Sequence, residues 1–146
     1  MARYVLEVMY DGTKFHGSQI QGEQVTVQLA VNTALSTLLR TPIASYGASR
    51  TDEGVHALCN YYHFDIDGEL QFDLLYKCNA ILPDGLAVNK VYKAVDPEFN
   101  VRFDAVSRRY RYRIYMRKNP FLHGRALYYP FTLDHDMLHA TAAVIK

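Results

Sequence analysis

The feature that most constrains this chain is the order in which strand-like and helix-like runs alternate along its first 95 or so residues. Tyr4 to Met9 (YVLEVM) is rich in β-branched and aromatic residues, the composition of a strand. Thr26 is placed to cap a helix in which Leu29, Ala30, Thr33, Ala34, Thr37 and Leu38 recur at helical spacing. Ile43 to Ser49 and Ala57 to Phe64 read as two further strands. Phe72 to Leu82 reads as a second helix, stopped by the turn triplet Pro83-Asp84-Gly85, and Leu86 to Tyr92 as a fourth strand. The order βαββαβ predicts a ferredoxin-like α+β domain over residues 1–100, with helices on one face of an antiparallel sheet.

Residues 101–146 predict the first strand and helix of a second α+β subdomain. Arg108 to Met116 has strand character, and an amphipathic helix starts at about Asp134 and continues through Met137, Leu138, Thr141, Ala142 and Ile145. That helix reaches Lys146 without a Gly, Asn or Pro stop signal. One strand and one uncapped helix do not close a core, so the subdomain is expected to be truncated, or completed by another copy.

A hydrophobic share of 49% is enough to build a core and excludes a disordered tail. No apolar run approaches the ~18 residues of a membrane span, and the opening MARYVLEVMYDG is a strand pattern rather than a signal peptide. Two lone cysteines, Cys59 and Cys78, suit a reducing compartment. These features predict a soluble, cytoplasmic protein with no membrane partner.

Two segments carry candidate chemistry. The first is the short loop Arg50 to His56, between the second and third strands. A carboxylate at Asp52 is presented there on a rigid scaffold, and Arg50 favours its ionised form where the two side chains approach. Such a group can act as nucleophile or base; Asp and Gly in a short loop are equally ordinary turn chemistry. The second is Ser107 to Lys118, which holds six of the 16 basic residues. At period 2, Arg109, Arg111, Arg113, Tyr115 and Arg117 share one face, and Arg108, Tyr110, Tyr112, Ile114 and Met116 the other. Arginines in such a ladder repel one another unless anions lie across them, and phosphate is the natural anion. A solvated face balanced by acidic neighbours is the plainer alternative. Tyr supplies 12 of the aromatics, and tyrosine rings are platforms for unstacked bases, which points to RNA or single strands.

Other signals are weaker. His135 and His139 have helical zinc-site spacing, but Asp136 stands where a metalloprotease carries Glu. His56, Cys59 and Cys78 lack the paired spacing of a metal cluster, and no glycine-rich phosphate loop or GxSxG elbow is present. No metal site is predicted.

Taken together, the segments resemble one family. Ser49-Arg50-Thr51-Asp52-Glu53-Gly54-Val55-His56-Ala57 closely resembles the G-R-T-D-A-G-V-H-A signature of the TruA family, tRNA pseudouridine synthase I. Tyr10-Asp11-Gly12-Thr13-Lys14-Phe15-His16-Gly17, followed by Gln19, resembles its Y-D-G-x-x-F-x-G-W-Q entry motif. Asn79-Ala80-Ile81-Leu82-Pro83 is similar to its N-x-x-L-P turn. Phe103 with Arg108-Arg109-Tyr110-Arg111-Tyr112 is similar to its F-x-A-x-x-R-x-Y-x-Y strand. Ser18, Ser49 and Glu53 depart from the usual Trp, Gly and Ala, and Glu53 adds a negative charge beside Asp52.

The resemblance implies a pseudouridine synthase fold and isomerisation of uridine to pseudouridine at positions 38 to 40 in the anticodon arm of tRNA. It makes Asp52 the nucleophile, Arg50 a residue that extrudes or holds the target nucleotide, and Tyr110 the platform for the flipped uracil. Arg108, Arg109, Arg111 and Arg113, with Lys14 and Gln19, become candidate RNA contacts. The reaction detaches a base, turns it and rejoins it, so neither metal nor nucleotide cofactor is expected, and the base must leave its stack. Family members are longer and resemble obligate homodimers that bind tRNA across both subunits, so this chain is expected to be a fragment lacking full activity. Two rivals need no catalysis: an RNA-binding module on a ferredoxin-like sheet, and a structural partner that dimerises through the strand at Arg108–Met116.

Overall fold

The computed structural model describes residues 1–145 and divides into two compact units, Met1–Arg109 and the residues from Tyr110 onward. The first unit runs β1 (Ala2–Tyr10), α1 (Val27–Leu39), β2 (Tyr46–Gly47), β3 (Ala57–Ile66), α2 (Leu74–Ile81) and β4 (Leu86–Lys93). Its sheet has the order β2-β3-β1-β4, and every neighbouring pair is antiparallel. This is the expected α+β arrangement, in which each βαβ half is split by a strand of the other.

One face of the sheet meets both helices. Tyr4, Leu6, Val8 and Tyr10 of β1 and Tyr62, Phe64 and Ile66 of β3 pack there against Val27, Val31 and Leu35 of α1 and Leu74 and Cys78 of α2. Phe64 is fully buried, so truncating it to alanine costs about 3–5 kcal/mol. Burial pushes the Cys78 thiol up to about 11, which makes it inert packing.

Helix α1 starts as expected, with Thr26 Oγ1 accepting the Leu29 amide at 3.3 Å. Its buried face is rotated from the expected stripe: Val27, Val31, Ala34 and Leu35 are buried, while Leu29 is 36% exposed. Val27 and Val31 are poor helix formers taken alone, and core packing outweighs that preference. Asp73 caps α2 by accepting the Tyr76 amide at 3.0 Å, which delays the helix start from Phe72 to Leu74.

Strand β2 is far shorter than Ile43–Ser49, because side chains of α1 intercept the backbone before the sheet can. The Ile43 amide donates to Ser36 Oγ at 2.8 Å, and the Ser45 amide to Asn32 Oδ1 at 2.9 Å. The Ser45 carbonyl accepts from Gln28 Nε2 at 2.6 Å. With those groups satisfied, the strand pairing with β3 is limited to Tyr46 and Gly47, followed by the Ala48 amide donating to the Tyr61 carbonyl at 2.8 Å.

On the opposite face Val5, Ala48 and Val101 form a small cluster. Residues 101–109 therefore belong to the first unit. Arg108 secures them by donating to the Ala48 carbonyl at 3.3 and 3.0 Å and to the Arg102 carbonyl at 2.7 Å. Beside them Glu7 accepts from Asn89 at 2.7 Å, Tyr92 at 3.1 Å and Tyr61 at 3.3 Å. The Asn89 bond leads the effects that hold its carboxyl below the usual range.

The second unit corrects the expected strand at Arg108–Met116. Only Ile114–Tyr115 is a strand (β5), paired in parallel with β6 (Leu127–Tyr128). Residues 108–113 take no regular conformation, so Arg109, Arg111 and Arg113 do not share a strand face. A strand needs a neighbour to fill its ladder, and like charges at alternate positions do not supply one. Helix α3 (His135–Val144) starts as expected, with Asp134 accepting the Met137 amide at 2.9 Å. No residue of this unit is buried among those described.

Candidate active site

The loop between β2 and β3 is held by the segment that follows β1. A Val55 amide to Asp52 carbonyl bond at 3.2 Å closes a turn, whose third position, Gly54, has φ +79°, a conformation that favours glycine. Gly12 lies against this turn so closely that a Cβ there would sit 2.2 Å from the Val55 oxygen. The Gly12 amide faces His56 Nδ1 at 3.1 Å, and the Asp11 carboxylate lies 3.2 Å from the same nitrogen.

Two buried polar side chains fix the other end of the loop. Ser18 is 2% exposed; its amide donates to the Thr51 carbonyl at 2.9 Å, and its Oγ accepts the Thr51 amide at 2.7 Å. Asn60, on β3, donates to the Ser49 carbonyl and to Tyr10 Oη, each at 3.2 Å, and accepts the Ser49 amide at 3.2 Å and the Tyr61 amide at 2.9 Å. Tyr10 Oη also bonds Thr51 Oγ1 at 2.9 Å. The main chain from Ser49 to Val55 is thus tied on both sides, which is what positions a reactive side chain.

Asp52 and Arg50 are both exposed on this anchored loop. Among the described residues the Asp52 carboxylate makes no ion pair or hydrogen bond, and none joins it to Arg50. A held backbone with an uncommitted carboxylate is suited to attack on an electrophilic carbon or to proton transfer. Beside the loop is a recess of ≈ 140 Å³, lined in part by Gln19, Tyr46, Ser49, Arg50, Arg102 and Phe103.

The other expected site residues belong to several segments of the two units. Lys14 is exposed and follows the Asp11 cap of a short 3-10 turn, Gly12–Lys14. Arg108 is occupied by backbone carbonyls, and Arg109 is exposed at the end of the first unit. Tyr110, Arg111 and Arg113 are exposed and belong to the second unit. His56, Cys59 and Cys78 do not converge: Cys59 is exposed and Cys78 buried. Among the described residues no group of three or more His, Cys, Asp or Glu forms a metal site. Sequence reasoning missed Ser18 and Asn60 as the anchors. Asn60 carried a signal, a polar residue in phase with the buried Tyr62 and Phe64; Ser18 sits in a polar loop where no such pattern marks it.

A curated relative from Parabacteroides distasonis, named tRNA pseudouridine synthase A, is 41% identical over 148 residues, covering 99% of this chain and 58% of the relative. One of the same name from Staphylococcus aureus (strain JH1) is 37% identical over 143 residues, covering 96% of this chain and 53% of its own length. Over nearly its whole length the chain is similar to these tRNA pseudouridine synthases A. It spans about half the length of the curated relatives it matches. No protein-family model matches it. Within this TruA-like chain, the entry motif and the Asp52 loop form one hydrogen-bonded structure. Among the described residues no helix is long and apolar enough to cross a membrane.

Proposed function

We propose that this chain is part of a cytoplasmic tRNA pseudouridine synthase acting on uridines 38 to 40 of the anticodon arm. The observation that carries the reading is the Asp52 carboxylate, uncommitted on a loop whose backbone is tied down by Ser18 and Asn60, with Tyr10 bonding the Thr51 hydroxyl. In the proposed reaction the bond from N1 to C1′ breaks, a bond from C5 to C1′ forms, C5 loses its proton and N1 gains one. Atoms and electrons balance without water, oxidant or metal.

Asp52 supplies the nucleophile, Arg50 holds or displaces the target nucleotide, and Tyr110 stacks on the flipped base. Arg109, Arg111 and Arg113, with Lys14 and Gln19, contact RNA; Arg108 holds the 101–109 segment in place. Irregular backbone over residues 108–113 leaves the arginines free to follow a phosphate path. The complete protein acts as a homodimer, and the chain alone lacks full activity.

The test is a chimera in which this chain replaces the matching segment of the Parabacteroides distasonis relative. It is expected to release tritium from [5-³H]uridine tRNA, and Asp52→Ala to stop release while leaving the gel shift intact. Release that persists at the same rate in Asp52→Ala refutes the reading. Loss of binding in that variant favours a non-catalytic RNA-binding module.

A further inference from the structure

We infer that the recess beside the Asp52 loop holds one nucleotide unit of an RNA strand, adjacent to the nucleotide being modified. This rests on the proposed reading of the loop and adds a subsite to it. Arg50 and Arg102 both line the recess, and no Asp or Glu does. Among the described residues neither guanidinium has an ion-pair partner, whereas Arg3 is paired with Asp65 at 2.8 Å. Two uncompensated guanidinium groups at one recess call for an anion, and phosphate matches their fork geometry.

The remaining lining selects a nucleotide over a bare anion. Phe103 is 77% exposed, with the Arg102 guanidinium 5.6 Å from its ring centre, a surface on which a base stacks. Tyr46 forms another part of the wall, its ring stacked on His63 at 5.3 Å. Gln19 offers an amide without a hydrogen-bond partner among the described residues, able to read a base edge. Ser49 and Arg50 line the recess and Asp52 does not, so a nucleotide seated here is a neighbour of the one that meets the nucleophile.

The experiment uses the 146-residue chain and an anticodon stem–loop RNA carrying 4-thiouridine, with uridine 5′-monophosphate as a competitor. Photo-cross-links are expected on Gln19, Tyr46 or Phe103. Arg102→Gln is expected to weaken RNA binding about fivefold or more and to lower the salt slope by about 1. Phe103→Ala is expected to remove most of the cross-link. Both side chains are solvent-exposed, so these variants keep the fold. Arg40→Gln is the control, about 18 Å from Gln28 along α1, with the same charge removed. Arg102→Gln and Phe103→Ala behaving like Arg40→Gln overturns the subsite, as does failure of the unaltered chain to bind. Competition by uridine 5′-monophosphate at the affinity of the RNA assigns the recess to free nucleotides and overturns the RNA reading. None of these outcomes bears on the dependence of tritium release on Asp52, which is read separately.

Discussion

Asn60 ties the Asp52 loop to β3, and removing its side chain should loosen both. It is 4% exposed, and its amide makes four hydrogen bonds: two with Ser49, one with Tyr10 and one with the Tyr61 amide. Each such bond contributes about 0.5–1.5 kcal/mol net, and water can replace some of those at the partly exposed Ser49. Asn60→Ala is therefore expected to cost about 2–4 kcal/mol. A unit of this size has a stability of roughly 5–16 kcal/mol. At about 4–8 °C per kcal/mol, melting followed by circular dichroism should fall by roughly 10–25 °C. Asn60→Asp keeps the oxygen that accepts the Ser49 and Tyr61 amides but turns a second oxygen toward the Ser49 carbonyl. Burial raises the pKa of that new carboxyl above its unfolded value, so the penalty is full at neutral pH and fades as pH falls through the folded pKa. An Asn60→Ala protein that melts within about 3 °C of the unaltered chain would show that the loop does not hang from β3, and the reasoning would fail.

The other predictions follow from the same geometry. Ser18→Ala removes the acceptor of the Thr51 amide at a cost of about 1–3 kcal/mol, and faster hydrogen exchange at that amide reports it. Gly12→Ala forces a Cβ against the Val55 carbonyl, backbone against side chain with no flexible group to yield, and urea unfolding should show a loss of about 3 kcal/mol. Burial, reinforced by Arg3 and opposed by Asp65, depresses the His63 pKa below its ordinary 6.5. The unfolded chain therefore binds the proton first, and stability is lost as pH falls below about 6.5 toward the folded value. His63→Phe should flatten that part of the stability–pH curve, and an unchanged slope would contradict the assignment.

The element order of the first unit, the cap Thr26 and the helix start at Asp134 were legible because a helix start and a change of period are local signals, whereas Asp73 lay inside the expected helix and caps it. The phase of α1 was not: two valines face the core where the pattern favoured leucine and alanine, and only the sheet beneath decides that. The shortening of β2 comes from Gln28, Asn32 and Ser36 bonding across 17, 13 and 7 residues, contacts that no periodicity counts. In Ser107 to Lys118, period 2 described the residue types and missed the absence of a partner strand over 108–113. The Asp52 loop stood out through its motif. Its anchor Asn60 looked like a flaw in the apolar phase of Tyr62 and Phe64, although a polar residue at a buried position is a sign that something must be held there; Ser18, in a polar loop, gave no such sign.

Whether Asp52 drives uridine isomerisation is decided by mapping pseudouridine in the anticodon arm of tRNA, through carbodiimide-dependent primer-extension stops after reaction with the chimera. Stops are expected at one or more of positions 38 to 40 with Asp52 present, and none with Asp52→Ala. Stops of equal strength in the Asp52→Ala chimera would rule Asp52 out as the nucleophile.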